Sequence, residues 1–236
     1  MSLKSSLKRL ILPKSNRFHR LLFGLGRGNL MLINFDHETR LYLGVYEREI
    51  SGYISEFLTT TSKCFDIGAN AGYYSLIFAK YTKGGVLAVE PSSSSYETLK
   101  RNVSRNNYKI SCKKAFVKSS TATCSTTLDQ LTEAYFFPDL IKMDIEGGEL
   151  DALKGAQKLL SRRPPHLIIE VHSKDLEYYC EEYLKDFGYA PKKVSNRKLF
   201  GDKRPDSFNG WLICRSPNEN LASNRRKTNT KKTACR

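Results

Sequence analysis

A glycine-rich loop between an apolar run and a helical pattern is a place where a ligand could meet the backbone. The loop reads Asp66-x-Gly68-x-Asn70-x-Gly72. Glycines after a strand and at a helix start let a ligand approach the main chain closely. The loop lacks the G-x-G-x-x-G spacing that seats a pyrophosphate on a helix N-terminus. The Asp66 carboxylate would repel a pyrophosphate and attract an ammonium or sulfonium group, so the loop predicts a cationic ligand without phosphates.

A second carboxylate narrows the choice of ligand. The next apolar run, residues 86–89, is followed by Glu90. A carboxylate at the end of a second strand can accept hydrogen bonds from both hydroxyls of a ribose, in NAD and S-adenosylmethionine sites alike. S-Adenosylmethionine carries an ammonium and a sulfonium and no phosphate, so Asp66 and Glu90 together favour it over NAD. The other predicted cofactor-binding residues are Gly68, Asn70, Gly72 and Tyr73. The alternative is an ordinary strand-to-helix turn with a solvated Glu90.

Acid and base candidates follow two later apolar runs. Asp144 and Glu146 come after residues 140–143. Glu170 and His172 stand two apart at the end of the next run, so their side chains face the same side. Ligands of doubly wound sheets bind beyond the carboxyl ends of the strands, so a carboxylate or an imidazole there can act as a general acid or base on a bound substrate. We predict Asp144, His172 and Glu146 as catalytic residues. His172 is a base near neutral pH, and Asp144 or Glu146 a base or a substrate-orienting group.

Other interpretations of these side chains stay open. Acidic residues near a helix start often complement the helix dipole, which is the favoured role of Glu149 and an equal alternative for Glu146. His172 can instead hydrogen-bond a loop. The acidic cluster can also bind a divalent metal, but no ligand spacing is diagnostic and we predict no metal. Tyr46 and Glu47 are expected on the substrate side.

The elements that position these residues alternate between short apolar runs and helical patterns, which is typical of an α/β fold with a parallel sheet. Predicted strands cover 30–35, 64–67, 86–89, 110–117, 140–143 and 167–171, and predicted helices cover 47–58, 73–81, 96–106, 149–160 and 176–187. Residues 198–200 and 211–214 are predicted to close the sheet as an antiparallel hairpin.

The two ends of the chain are basic. Residues 3–25 place apolar side chains at helical spacing, with Pro13 as a break. Residues 1–28 hold seven Lys and Arg and no acid, and residues 216–236 hold six against Glu219. The predicted units are a basic amphipathic N-terminal extension (1–39), a catalytic domain (40–215) and a disordered basic tail (216–236). The extension covers the catalytic domain, or alternatively lies on an anionic membrane surface or is an organelle transit peptide.

Composition restricts the class of protein. The chain has 236 residues, 40% hydrophobic and 27% charged, which excludes a disordered or fibrous protein. The net charge of +15 lies mostly at the ends, so the central pocket need not suit a polyanion. Six cysteines without a C-x-x-C pair are typical of reduced thiols. No apolar run approaches the roughly 20 residues that span a bilayer. We expect a cytoplasmic protein, with peripheral membrane contact through the basic N-terminus as an alternative.

Five motifs occur in order and resemble those of the FkbM-type methyltransferases over about residues 40–215. They are Phe65 to Ser75, Val89-Glu-Pro91, Thr127-Leu-Asp129, Pro138 to Gly147 with Leu153-Lys-Gly155, and Ile169-Glu-Val-His172. The resemblance implies the class I methyltransferase (Rossmann-like) fold, a seven-stranded mostly parallel sheet of order 3-2-1-4-5-7-6 with helices on both faces. It also implies O-methylation of hydroxyls on sugars or natural products. The sequence departs from the family at 115–127, which is short and Ser/Thr-rich.

The favoured hypothesis is a metal-independent, S-adenosylmethionine-dependent O-methyltransferase acting on a glycan or small metabolite. A first rival is an RNA methyltransferase, motivated by the charge of +15. The nearly neutral centre and the lack of a recognisable RNA-binding module count against it, so nucleic acid is not the expected partner. A second rival is a catalytically silent scaffold that binds S-adenosylmethionine. The intact glycine loop argues against a dead cofactor site.

Overall fold

A seven-stranded sheet forms the centre of the computed structural model, which describes residues 16–195 and 210–218. The strands are β1 (Arg17–Arg20), β2 (Leu30–Ile33), β3 (Cys64–Ile67), β4 (Val86–Val89), β5 (Ile110–Lys113), β6 (Phe116–Val117), β7 (Ser125–Thr126), β8 (Leu140–Met143), β9 (His166–Val171), β10 (Lys192–Ser195) and β11 (Gly210–Cys214). The helices are α1 (Thr39–Tyr42), α2 (Arg48–Phe57), α3 (Tyr73–Tyr81), α4 (Ser93–Ser104), α5 (Leu128–Ala134), α6 (Glu149–Lys154), α7 (Gln157–Arg162) and α8 (Lys174–Lys185).

The strand order of the large sheet is β10-β11-β9-β8-β3-β4-β5. Strands β5, β4, β3, β8 and β9 are parallel, whereas β11 is antiparallel to both β9 and β10. Numbered along the chain from β3, and leaving aside the short pair β6–β7, this is the order 3-2-1-4-5-7-6. The predicted fold class and strand order are confirmed.

The apolar runs form strands because both faces of the sheet are covered. Every residue of β3, β4, β8, β9 and β11 is buried, as expected when helices pack on both sides of a parallel sheet. Alternate residues of β3 divide between two cores. Cys64 packs with side chains of α2 and α3, and Phe65 packs with those of α5 to α8. Because β5, β4, β3, β8 and β9 are parallel, their carboxyl ends lie at the same edge of the sheet.

The predicted helix over 149–160 is two helices, α6 and α7. They separate at Gly155, where a Cβ atom would lie 2.3 Å from the Lys118 carbonyl oxygen. The Asp129 carboxylate accepts hydrogen bonds from the backbone N–H groups of Lys158 (3.0 Å) and Leu159 (2.8 Å), at the start of α7. The break thus depends on contacts with distant parts of the chain.

The structure differs from the prediction at three other elements. Residues 17–20, predicted as part of an amphipathic helix, form β1 and pair antiparallel with β2. Leu21 follows β1 and is buried in the same core as α3, so residues near it cover the catalytic domain. The strand predicted over 110–117 divides into β5 and β6. At the edge of the sheet β11 pairs antiparallel with β10, and the predicted strand at 198–200 lies outside the described residues, as do residues 1–15 and 219–236.

Among residues 16–195 and 210–218, no helix combines the length and apolarity needed to span a membrane.

Candidate functional site

The glycine loop between β3 and α3 lies directly against the end of β8. Gly68 has a positive φ of 78°, and a Cβ atom there would lie 1.7 Å from the Asp144 carbonyl oxygen. The N–H groups of Gly68 and Ala69 both donate to the Val89 carbonyl, at 2.9 and 3.0 Å. Only glycine fits this approach, and the loop is thereby fixed to the carboxyl ends of β4 and β8.

Two cavities open beside this loop. The larger is about 560 Å³ and the smaller about 340 Å³, both within the range of small-molecule sites. Gly68 and Asp144 line both cavities. An extended ligand lying across the glycine loop could therefore occupy both.

The predicted cofactor-binding residues divide between the two cavities. Asp66, Gly68, Asn70 and Tyr73 line the larger cavity, and Gly68 and Glu90 line the smaller. Gly72 lines neither of these cavities. It has a φ of 87°, and a Cβ atom there would lie 2.5 Å from Leu99 Cδ1 on α4. The structure thus gives Gly72 a packing role, as the close contact between two helices.

Glu90 is held in one orientation by the backbone. Its Oε2 accepts a hydrogen bond from Asn70 N–H and its Oε1 accepts one from Ser92 N–H, both at 2.8 Å. Each carboxylate oxygen has more than one lone pair, so both can accept a further hydrogen bond. The side chain is buried at the edge of the smaller cavity. Both oxygens of Glu90 thus remain able to accept hydrogen bonds from a ligand in this cavity.

Asp66 lies in β3, beneath the loop and not at its mouth. The residue is 1% exposed and accepts a hydrogen bond of 2.5 Å from Ser75 Oγ. Burial raises the pKa of the Asp66 carboxyl to about 6, although Lys142 and Ser75 act in the opposite direction. Asp66 is therefore mostly ionised at pH 7 and contributes negative charge to the larger cavity.

A buried lysine that the sequence reasoning missed lies at the centre of the site. Lys142 Nζ donates to Asp144 Oδ2 at 3.1 Å, lies 4.0 Å from Glu170 Oε2, and stands 4.9 Å from the centre of the Tyr74 ring. Burial alone would lower the pKa of Lys142, but Asp144, Glu47 and Glu170 outweigh burial and raise it. The sequence signal was a single charged residue inside the apolar run 140–143.

Asp144 and His172 converge, as their strand-end positions predicted. His172 Nε2 lies 3.1 Å from Asp144 Oδ1. Burial opposes ionisation of Asp144, but Lys142 and the His172 hydrogen bond outweigh it and lower the pKa of the carboxyl below its usual range. The same hydrogen bond raises the pKa of His172 to about 9, against the opposing effect of burial. The raised pKa favours a protonated His172 that donates to Asp144 at neutral pH, and the role of His172 as a base stays a prediction.

The two glutamates after Asp144 differ sharply in exposure. The Glu146 side chain is 84% exposed, and its Oε2 lies 3.9 Å from His172 Nε2. Glu149 is fully buried, and its Oε1 accepts hydrogen bonds from Ile145 N–H (3.0 Å) and Gly147 N–H (3.3 Å). Glu149 thus holds the turn between β8 and α6, a more specific role than the favoured interpretation as a helix-dipole complement.

The segment before α2 forms a wall of the larger cavity. Tyr46 lines this cavity and packs edge-on against Tyr73, with ring centres 5.7 Å apart. Glu47 has a positive φ of 44°, and its Oε2 accepts a 2.6 Å hydrogen bond from Tyr74 OH. The structure thus brings both residues next to the catalytic candidates.

The Asp144–His172 pair predicts how the stability of the protein depends on pH. The pKa of His172 is raised from 6.5 to about 9 on folding, so its stabilising contribution is complete below pH 6.5 and is lost as the pH rises through about 9. We expect Tm, measured in EDTA-containing buffer, to fall over this range. His172→Gln should reduce the slope, because glutamine does not titrate. An equal slope in both proteins would contradict the assignment.

Comparisons with known proteins agree with this architecture. Residues 111–191 match the family profile described as the methyltransferase FkbM domain. The structure of methyltransferase FkbM from Methylobacillus flagellatus KT is 25% identical, with a TM-score of 0.56, over 66% of this chain and 44% of that one. The chain thus spans less than half the length of that protein. A search of curated proteins gives no match.

Two more distant structures share the fold alone. An rRNA methylase from Streptococcus thermophilus is 12% identical, with a TM-score of 0.53, over 72% of this chain and 98% of that one. Aeropyrum pernix fibrillarin, solved with natively bound S-adenosyl-L-methionine, is 12% identical, with a TM-score of 0.50, over 66% of this chain and 67% of that one.

The sheet order and these likenesses define the fold as that of the class I S-adenosylmethionine-dependent methyltransferases. Within this class, the match of residues 111–191 to the FkbM domain and the likeness to the Methylobacillus structure confirm the resemblance to the FkbM-type methyltransferases seen in the sequence.

Proposed function

We propose that the protein is an S-adenosylmethionine-dependent O-methyltransferase that acts on a hydroxyl of a sugar, a glycan or a small metabolite. The observation that carries this proposal is that the two cavities meet at Gly68 and Asp144. One cavity suits a nucleoside and the other combines negative charge with polar side chains. A methyl donor and a hydroxylated acceptor could therefore meet beside Asp144.

The residues present fit the donor. Glu90 offers two carboxylate oxygens at the edge of the smaller cavity, whose walls include Val89, Phe116 and Val117. Apolar walls beside a ribose-binding carboxylate suit an adenine ring. Asp66, which lines the larger cavity, supplies negative charge that favours an ammonium and a sulfonium.

Polar side chains on the other side of the larger cavity suit a hydroxylated acceptor. They are His37, Glu38, Arg40 and Tyr46, which lie in or next to α1 and before α2. Hydroxyl groups need such convergent donors and acceptors, because a buried hydroxyl without a hydrogen bond costs free energy. This lining favours a sugar or a polar metabolite over an apolar acceptor.

S-Adenosylmethionine, when bound, would supply a methyl group to the acceptor oxygen. The electron pair of the carbon–sulfur bond would pass to sulfur, and the hydroxyl proton would pass to water. Asp144 is placed to orient that hydroxyl as a hydrogen-bond acceptor. Lys142 holds Asp144 Oδ2 and His172 holds Oδ1, so the carboxylate has little freedom to rotate. Its lowered pKa makes it an orienting acceptor more than a proton store.

Binding of the methyl donor is the first test. Calorimetry is expected to show heat with S-adenosylmethionine and with its demethylated product, and none with NAD. Glu90→Ala should weaken binding by roughly 1 to 3 kcal/mol, because the ribose hydroxyls lose their acceptors. Glu97→Ala, an exposed substitution on α4, serves as the matched control. No heat with the donor, or tight binding of NAD, would reject the proposal.

A transfer assay with methyl-labelled donor tests the acceptor class. Label is expected in glycans or polar metabolites and not in RNA. Label in RNA, with binding that weakens steeply as salt rises, would instead support a nucleic-acid substrate. Donor binding without transfer to any acceptor would support the scaffold alternative.

A further inference from the structure

Basic and acidic residues are concentrated on different sides of the sheet. Three segments that contain no acidic residue, 16–35, 67–89 and 98–128, together hold twelve Lys and Arg. They include β1, β2, α3, β4, the second half of α4 and β5. Residues 129–186, which include β8, β9 and α6 to α8, hold thirteen acidic and seven basic residues. The centre of the chain is therefore nearly neutral only on average, with its excess of cations on the β4–β5 side of the sheet.

Contacts between these segments bring four exposed arginines together. Phe18 on β1 lies beneath two guanidinium groups, those of Arg101 at 5.9 Å and Arg105 at 5.0 Å from the centre of its ring. Arg20 is two residues further along β1 and so faces the same side as Phe18. Its Nη1 donates to the Gly28 carbonyl at 3.0 Å, next to the fourth arginine. The basic surface, as we call this group, consists of Arg20, Arg27, Arg101 and Arg105.

Hydrogen bonds between elements hold the basic surface in place. Asn102 Oδ1 on α4 accepts a hydrogen bond of 2.8 Å from Leu32 N–H on β2. Lys80 Nζ on α3 donates to the Arg27 carbonyl at 2.7 Å, which adds a further cation beside the surface. Like charges held on one surface repel one another and disfavour the folded state. An anionic partner would relieve this repulsion, so the surface is suited to binding one.

Exposed apolar side chains accompany these charges. Leu22 and Phe23, in the turn between β1 and β2 that also holds Arg27, are 39% and 61% exposed. Residues 1–15, which lead into β1, hold four Lys and Arg, five Leu and Ile, and no acid. At an anionic bilayer, basic side chains bind the headgroups and apolar side chains enter the boundary with the acyl chains. A nucleic acid would bind the arginines but gives exposed aliphatic side chains no role, so the combination favours a bilayer.

We propose that the basic surface docks the folded protein on a lipid bilayer that contains anionic phospholipids. The arginines of the β1–β2 hairpin and of α4 bind the headgroups, and Phe23 enters the interface beside them. The acidic side of the sheet, residues 129–186, is repelled by the same headgroups, so the protein binds with α4 towards the bilayer. The sequence alone offered only the N-terminal extension as a membrane contact, whereas the structure adds α4 of the catalytic domain.

Co-sedimentation of the full chain with vesicles tests this inference. The protein is expected to bind vesicles of equal parts phosphatidylglycerol and phosphatidylcholine, and to bind pure phosphatidylcholine far more weakly. Arg101→Gln with Arg105→Gln should weaken binding roughly 25-fold, because each basic residue near an anionic bilayer contributes roughly fivefold. Arg162→Gln with Arg163→Gln is the matched control, expected to bind as the wild type does. It removes the same charge from exposed arginines on the acidic side, one of which also lies 6.0 Å from an aromatic ring, that of Phe137.

Phe23→Ser is a second variant, which keeps every charge of the basic surface. It should weaken vesicle binding roughly three- to tenfold, because an apolar side chain no longer enters the interface. Binding of the wild type should fall steeply with salt, since the Debye length shortens from about 30 Å at 0.01 M to about 10 Å at 0.1 M. The Tm of each variant, measured by circular dichroism, shows whether it remains folded.

Three results would overturn the inference. The first is equal binding of the wild type and the Arg101→Gln, Arg105→Gln variant, which would assign any membrane contact to other residues. The second is equal binding to anionic and neutral vesicles, or no effect of Phe23→Ser. The third is binding to tRNA, in a filter assay, at lower protein concentration than to anionic vesicles and lost in the same double variant, which would assign the surface to nucleic acid. None of these measurements uses the methyl donor or an acceptor, so they leave the proposed function to its own tests.

Discussion

Replacing Lys142 with methionine is expected to lower the free energy of unfolding by about 3–5 kcal/mol. The methionine would fill much of the same volume, but it would leave Asp144, Glu170 and Glu47 without the ammonium between them. Buried carboxylates that lose a counter-charge are costly, because the surrounding protein solvates them poorly.

Urea unfolding followed by circular dichroism measures this effect. Lys185→Met is the matched control, because Lys185 pairs with Glu181 and Glu182 on the surface, where solvent screens the charges and the substitution should change stability little. Adding Asp144→Asn to Lys142→Met should recover part of the loss, since the pair is then removed together. A loss below about 1 kcal/mol for Lys142→Met would show that the lysine is not the counter-charge of this site.

The sheet could be predicted from the sequence because its strands are buried on both faces. Runs such as 64–67 and 140–143 are short and mostly apolar, and the structure buries every residue of them. The strand order came from the resemblance and not from the runs themselves. The single helix predicted over 149–160 is wrong, because the helix ends at Gly155, which packs against the backbone of Lys118. That contact is invisible in a local pattern.

The N-terminal segment also shows that the spacing of apolar residues does not by itself decide between a helix and a strand. Residues 17–20 fit a helical pattern with their neighbours, yet they pair as a strand with residues 30–33. The apolar side chains at 18 and 21 are compatible with either structure. The glycines at 24 and 28, both with positive φ, allow the turn that brings the two strands together. Tertiary pairing decides the outcome, which a periodic pattern alone does not reveal.

Part of the candidate site could likewise be predicted from the sequence, and part could not. The meeting of Asp144 and His172 follows from strand ends, which topology places together. Their protonation does not follow, because the Lys142 ammonium and the hydrogen bond between them set both pKa values. Gly72 was assigned to the cofactor from its place in the loop, whereas its nearest neighbour is Leu99 on another helix. Sequence spacing locates such groups but does not show what surrounds them.

Asp144→Asn is expected to lower kcat/KM for methyl transfer by about 10²- to 10⁴-fold while changing donor affinity little. The amide has the shape of the carboxylate but carries no charge, so it holds the acceptor hydroxyl and its leaving proton less strongly. Donor affinity should depend mainly on Glu90 and the glycine loop, which Asp144 does not contact through its side chain.

Glu146→Gln is the informative comparison, because Glu146 carries its charge two residues away on a side chain that is 84% exposed. Solvent screens such a charge, so we expect its loss to reduce kcat/KM less than tenfold. Both variants should be compared with the wild type for Tm, donor Kd and kcat/KM on the acceptor found in the transfer assay. An Asp144→Asn enzyme that remains folded and turns over at the wild-type rate would place the reacting hydroxyl elsewhere in the larger cavity. The combination of intact donor binding, a folded protein and lost turnover would instead establish the junction of the two cavities as the place where the methyl group is transferred.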